Sequence, residues 1–168
     1  CAARIGLGPG QREVEEPHRD YLAKFGIGNA HEYPDGFFDL EKRPDRVAVV
    51  GSGYIAIELT GILCSLGAKA TLVLRGHKAL KEFDSMLGEA MLKIMHDEGV
   101  EIATSAWPNA ARRSPAGALE LDVRDGRKLG PFDSVIWAIG RVPAVEGLQL
   151  ERARVALDEY GFIVTDKY

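Results

Sequence analysis

Val47-Ala48-Val49-Val50-Gly51-Ser52-Gly53-Tyr54-Ile55-Ala56-Ile57-Glu58 reads as an apolar strand that runs straight into a glycine turn and out of it into a helix. The turn has the pattern GxGxxA, and each small residue has a reason. Gly51 permits the tight turn, Gly53 lets a pyrophosphate approach the backbone, and Ala56 keeps the helix close to the strand. The helix dipole then faces the phosphates. As spelling alone the motif is weak, and the strand before it and helix after it are what make it a dinucleotide signature. The competing reading is a tight turn in an α/β domain that holds no nucleotide.

Beyond the turn, residues 54–66 carry Ile55, Leu59, Ile62, Leu63 and Leu66 at three- and four-residue steps, with Gly67 in the stop position. That spacing predicts an amphipathic helix buried on this stripe. Cys64 within it reads as packing, since no basic neighbour would activate a thiolate. Residues 70–74 form the next strand, parallel to the first and joined to it by a right-handed crossover. Asp84 or Ser85 caps a second helix that runs to Glu98, with Met86, Leu87, Met91, Ile94 and Met95 as its apolar stripe and Gly99 as its stop. His96 on this helix is expected to be exposed.

Residues 100–104 make a third parallel strand, after which the pattern changes. Residues 119–123 alternate, Asp125-Gly126 is a hairpin turn signal, and residues 127–132 lead into an apolar strand at 134–139. A small antiparallel insertion returning to the main sheet is expected. Trp107 and Trp137 read as core aromatics, and a last short strand is expected around Phe162-Ile163-Val164. Upstream, residues 1–34 are rich in Gly, Pro and charge, with order expected only over a short helix at 17–25. His18 and His31 have no partner at ligand or catalytic spacing and read as surface residues. Asp35-Gly36-Phe37-Phe38-Asp39-Leu40 is a turn with aromatic weight that packs on the domain. The expected architecture is a Rossmann-like, doubly wound parallel α/β sheet over residues 35–168, with residues 1–34 as an extension.

The residue that ends the second strand decides the coenzyme. An NAD-specific fold places Asp or Glu about 20 residues past the glycines to accept from the ribose hydroxyls. This chain has Arg75 there, followed by His77, Lys78 and Lys81. A guanidinium fork suits a dianion, and hydrogen bonds to charged groups are worth about 1.5–3 kcal/mol each, so NADPH preference over NADH is expected. The alternative is that these side chains are merely solvated.

Composition narrows the field further. The chain has 168 residues, 46% of them hydrophobic and 27% charged, with a formal net charge of −4. That balance argues against general nucleic-acid or anionic-membrane binding. No apolar run approaches a membrane span, and the first ten residues lack a secretory-signal pattern, so a cytoplasmic setting is the default. Cys1 and Cys64 form neither a disulfide framework nor a metal-spaced set, and their thiols are expected to be reduced.

Five blocks stand in register: Asp35-Gly36-Phe37-Phe38, Gly51 to Glu58, Leu74-Arg75-Gly76-His77-Lys78, Phe83-Asp84-Ser85-Met86 and Trp137-Ala138-Ile139-Gly140-Arg141-Val142-Pro143. With them the chain resembles the NADPH-binding domain of the glutathione reductases, in the flavoprotein pyridine nucleotide-disulfide oxidoreductase family, from about Asp35 onward. Trypanothione reductases are similar in the same blocks, whereas the NAD-dependent dihydrolipoamide dehydrogenases look acidic where Arg75 stands. The resemblance implies an electron path from NADPH to FAD, to a cysteine pair, and on to glutathione disulfide. It also implies a homodimeric parent with FAD and interface domains. The residue matching Tyr54 would lie over the flavin until nicotinamide displaces it, and those matching Ile55 and Glu58 would adjoin the nicotinamide. Arg75 and Lys81 match the two basic residues that hold the 2′-phosphate, with His77 beside them. The family often has Arg at the second place, and Lys81 offers a point charge instead of a fork. Gly140 and Arg141 match a loop that approaches the coenzyme from the other side.

No earlier GxGxxG for FAD, no closely spaced cysteine pair and no later domain with thiol-acting His and Glu are present in the chain, so no catalytic residue and no metal ligand are assigned. Gly6-Leu7-Gly8-Pro9-Gly10 lacks a preceding strand and carries a proline, which excludes it as a second nucleotide site. Three readings stay open: a piece of a reductase, a stand-alone NADPH-binding module or partner subunit, and the fold kept without a ligand. Faces that would meet absent domains are expected to be more apolar than an ordinary surface.

Overall fold

The computed structural model describes residues 37, 38, 40–141 and 143–167. The expectations for residues 1–36, including the short helix, the two histidines and Cys1, lie outside the described residues. The rest falls into two compact units, one reaching to Ile139 and the other beginning at Gly140.

In the first unit the order is β1 (Arg46–Val50), α1 (Tyr54–Ser65), β2 (Lys69–Val73), α2 (Ser85–Asp97), β3 (Glu101–Ala103), β4 (Pro108–Arg113), β5 (Leu119–Val123), β6 (Lys128–Phe132) and β7 (Ser134–Trp137). A four-stranded sheet has the order β3-β2-β1-β7, and a three-stranded sheet has the order β4-β5-β6. Every pair in the first is parallel, with Val47 opposite both Ala70 and Ser134, and Leu72 opposite Ile102. Both pairs in the second are antiparallel.

The unbroken apolar run of β1 follows from burial on both faces. Side chains alternate along a strand. Val47 and Val49 therefore pack with α1 and α2 through Ala56, Leu59, Leu63 and Met95, whereas Ala48 and Val50 pack with Leu119, Leu121, Val123 and Phe132. The antiparallel insertion is thus the second cover of the parallel sheet. Asp133 ties the starts of β1 and β7: its carboxylate accepts from the Arg46 backbone N–H at 2.8 Å and from the Arg46 guanidinium at 3.2 Å. Partial desolvation would raise its pKa, but these bonds outweigh it and hold the carboxyl below its ordinary value.

Both helices differ from their expected faces. In α1 the buried residues are Ala56, Ile57, Leu59, Thr60 and Leu63, and Ile62 and Leu66 are exposed. The helix starts against the glycine turn, where the Ala56 Cβ would lie 3.1 Å from a Cβ on Gly51, and Thr60 follows Ala56 one turn on as a fully buried residue. The Thr60 hydroxyl stays satisfied by donating to the Ala56 carbonyl at 2.6 Å. In α2 only Gly88 and Met95 are buried, with Met91 and Leu92 partly so, while Met86, Leu87 and Ile94 are exposed. Gly88 leads the contact because a Cβ there would stand 2.5 Å from the Ala79 carbonyl oxygen. The remaining expectations for α2 hold: the Asp84 carboxylate accepts from the Met86 N–H at 2.8 Å, and His96 is exposed. Cys64 is half-buried against the helix-side core.

Strand β4 has no sequence counterpart, since Pro108, Arg112 and Arg113 interrupt any apolar alternation. In the second unit the expected strand at 162–164 is replaced by a single antiparallel bridge between Leu157 and Ile163. A tight turn sets that bridge, with the Asp158 carboxylate accepting from the backbone N–H groups of Tyr160 at 2.9 Å and Phe162 at 2.8 Å.

Candidate dinucleotide site

The glycine turn sits where β1 leaves the sheet between β2 and β7. The Gly51 N–H donates to the Val73 carbonyl at 3.1 Å, and the Ala138 N–H donates to the Val50 carbonyl at 2.8 Å. A Cβ at Gly51 would lie 2.3 Å from the Ala138 carbonyl oxygen, so neighbouring backbone alone excludes any side chain there. Gly53 is different: a Cβ added to it meets nothing within 4 Å. It is the N-cap of α1, supplies no side-chain cap, and the first turn carries no acid. The first amide N–H groups of a twelve-residue helix therefore have no side-chain oxygen from the cap, which is the electrostatic setting an anion requires. Tyr54 and Glu58 are exposed four residues apart on one side of α1, and Ile55 is partly buried between strand and surface.

The loop after β2 is drawn to this turn by backbone bonds. The Leu80 N–H donates to the Ser52 carbonyl at 2.7 Å. On the other side, the Ser105 N–H donates to the Gly76 carbonyl at 3.0 Å, and the Ser105 hydroxyl lies 3.0 Å from Nε2 of His77. Arg75, His77, Lys78 and Lys81 are all exposed on this loop. Among the described residues none of the four stands in an ion pair with a carboxylate. The loop is thus basic, and it is pinned to the glycine turn at one end and to the segment after β3 at the other.

Trp107 differs from its expected role. It is half-buried rather than in the core, and the Arg75 and Arg124 guanidinium carbons lie over its ring at 5.1 and 4.3 Å from the centroid. Trp137, by contrast, is a buried core residue. Arg124 opens the β5–β6 turn, where neighbouring Asp125 has its carboxyl held below the ordinary range by the Arg127 N–H first, and also by the Arg127 guanidinium. Neither Trp107 nor Arg124 belongs to a motif, and only chain folding brings them to Arg75. Gly140 and Arg141 open the second unit, both exposed, with Gly140 at φ +147°. Among the described residues no three His, Cys, Asp or Glu side chains gather as a metal site, and no described helix is long and apolar enough to cross a membrane.

Residues 23–168 match the family model described as pyridine nucleotide-disulphide oxidoreductase. The glutathione reductase of Schizosaccharomyces pombe is 36% identical over 147 residues, which is 87% of this chain and 30% of that protein. That of Yarrowia lipolytica is 34% identical over 148 residues, again 87% and 30%. Among solved structures, the HOCl-induced flavoprotein disulfide reductase RclA from Escherichia coli superposes with a TM-score of 0.71 at 25% identity, covering 84% of this chain and 31% of that one. LpdA from Mycobacterium tuberculosis gives 0.68 at 26% identity, covering 80% and 29%. The chain therefore spans under a third of the length of these relatives. A parallel sheet with a glycine turn at the end of β1, an antiparallel sheet covering its far face, and a match over most of the sequence make the chain a member of the pyridine nucleotide-disulphide oxidoreductase family.

Proposed function

We propose that residues 35–168 are the NADPH-binding domain of a glutathione-reductase-like, FAD-dependent disulfide oxidoreductase. The observation that carries this reading is the Leu80-to-Ser52 hydrogen bond, which holds a loop bearing Arg75, His77 and Lys81 against the glycine turn. Gly51, Ser52 and Gly53 form the turn that takes the pyrophosphate, with Gly53 leaving open space for it and buried Ala56 keeping α1 close to the strand. Arg75, His77 and Lys81 take the 2′-phosphate. Tyr54, Ile55 and Glu58 line the nicotinamide end, as the family likeness implies. When bound, NADPH supplies the hydride that the complete enzyme passes through FAD and a redox-active disulfide to glutathione disulfide.

The length of the relatives supports FAD and interface domains as further partners of this domain. The exposed Ile62, Leu66, Met86, Leu87 and Ile94 are apolar surface of the kind such domains would cover. Calorimetric titration with NADPH and NADH tests the reading. NADPH should bind at least about tenfold more tightly, and Arg75→Glu should reverse much of the difference, because a carboxylate repels the 2′-phosphate. Equal affinities for the two coenzymes would remove the NADPH assignment.

A further inference from the structure

Trp107 is held beside Arg75 by main-chain bonds. The N–H of the preceding residue, fully buried Ala106, donates at 2.9 Å to the carbonyl of Leu74, the residue before Arg75. The Trp107 carbonyl accepts from the Arg124 N–H at 2.9 Å, which fixes the β5–β6 turn to the same place. Over the indole that results lie both guanidinium groups, Arg124 also reaching the Asn109 side-chain oxygen at 3.3 Å. Neither has a carboxylate at ion-pair distance among the described residues. Two like charges gathered on one ring without a counter-charge repel each other, and a bound dianion relieves that repulsion. A cation held over a ring keeps its N–H groups as donors, and of these only Arg124 Nε is engaged among the described residues, by Asn109.

We propose that Trp107 is a positioning residue for coenzyme choice: it fixes the Arg75 guanidinium at the end of β2 and brings Arg124 in as a second cation for the 2′-phosphomonoester. The inference rests on the NADPH reading above and extends it to a residue outside the loop after β2. Arg124 compensates for Lys81, whose ammonium offers a point charge where a fork would give paired bonds.

The test is calorimetric titration of the full chain and its Trp107→Ala, Trp107→Phe, Arg124→Gln and Arg75→Gln variants with NADPH and with NADH. Trp107→Ala and Arg124→Gln should each lower the NADPH-to-NADH affinity ratio about three- to fivefold, with NADH affinity unchanged and Trp107→Phe keeping most of the ratio. If Arg75→Gln lowers the ratio while Trp107→Ala and Arg124→Gln leave it unchanged, this inference is overturned and the NADPH reading stands. If the parent chain shows no preference for NADPH, both are overturned. Circular dichroism checks each variant's fold. Should Trp107→Ala fail to fold, Arg124→Gln decides alone, an unchanged ratio overturning the inference.

Discussion

The Leu80 amide and the Ser52 carbonyl meet at 2.7 Å, joining the loop after β2 to the glycine turn after β1. The loop has a second support, since Ala79 passes directly over Gly88 of α2. Gly88→Ala would place a methyl 2.5 Å from the Ala79 oxygen, so the loop or the helix must shift. Unfolding by urea should show a loss of about 1–3 kcal/mol. NADPH affinity should also fall more than NADH affinity, because the displaced loop carries the basic side chains.

Gly51 and Gly53 separate packing from ligand approach. Gly51→Ala drives a methyl into the Ala138 carbonyl and should lower stability by about 2–3 kcal/mol, read as a lower midpoint in thermal or urea unfolding. Gly53→Ala meets no protein atom and should leave the midpoint nearly unchanged. On the proposed reading its methyl would stand in the path of the pyrophosphate, so NADPH and NADH should both bind about tenfold more weakly. Unchanged affinity in Gly53→Ala would place the phosphates elsewhere.

Much of this was legible from residue order. The alternation-free run of β1, the small residues after it and Arg75 at the next strand's end identify strand, turn, crossover and basic loop, because each depends on neighbours close in sequence. What escaped depends on distant contacts. The inner face of α1 is set by how the helix leaves the glycine turn, so Ala56 and Thr60 are buried with Ile57, Leu59 and Leu63 while Ile62 and Leu66 are exposed. β4 forms because β5 supplies a partner edge, although Pro108, Arg112 and Arg113 are poor strand formers on their own. Trp107 reads as core in isolation and becomes a shelf only when Arg75 and Arg124 arrive from separate elements.

Lys81→Arg tests the character of the basic loop. A planar fork in place of an ammonium should raise NADPH affinity about two- to fivefold and leave NADH affinity unaltered, measured by calorimetry. A parallel rise for both coenzymes would mean that the side chain contacts the pyrophosphate instead of the 2′-phosphate.

Asp133 gives the fold an acid-sensitive clasp. Its carboxyl titrates below the ordinary value in the folded chain, so it contributes stability that is present above about pH 4 and is lost as pH falls through the folded value. Asp133→Asn should cost about 1 kcal/mol at neutral pH, a modest figure because solvent reaches both Asp133 and Arg46. Urea unfolding of both forms at pH 7 and pH 3 should show the gap closing at the lower pH. A gap that widens on acidification would exclude the Arg46 contact as its source.

The segment from Arg75 to Lys81 is fastened by its main chain, through Leu80 to Ser52 and Gly76 to Ser105, while its basic side chains are exposed and take no part in those bonds. Attachment and chemistry are therefore carried by different atoms. Side chains on such a mount can be exchanged, acid for base or fork for point charge, with little consequence for how the chain folds. Under the NADPH proposal, coenzyme preference and the unfolding midpoint should therefore respond separately to substitution in this segment.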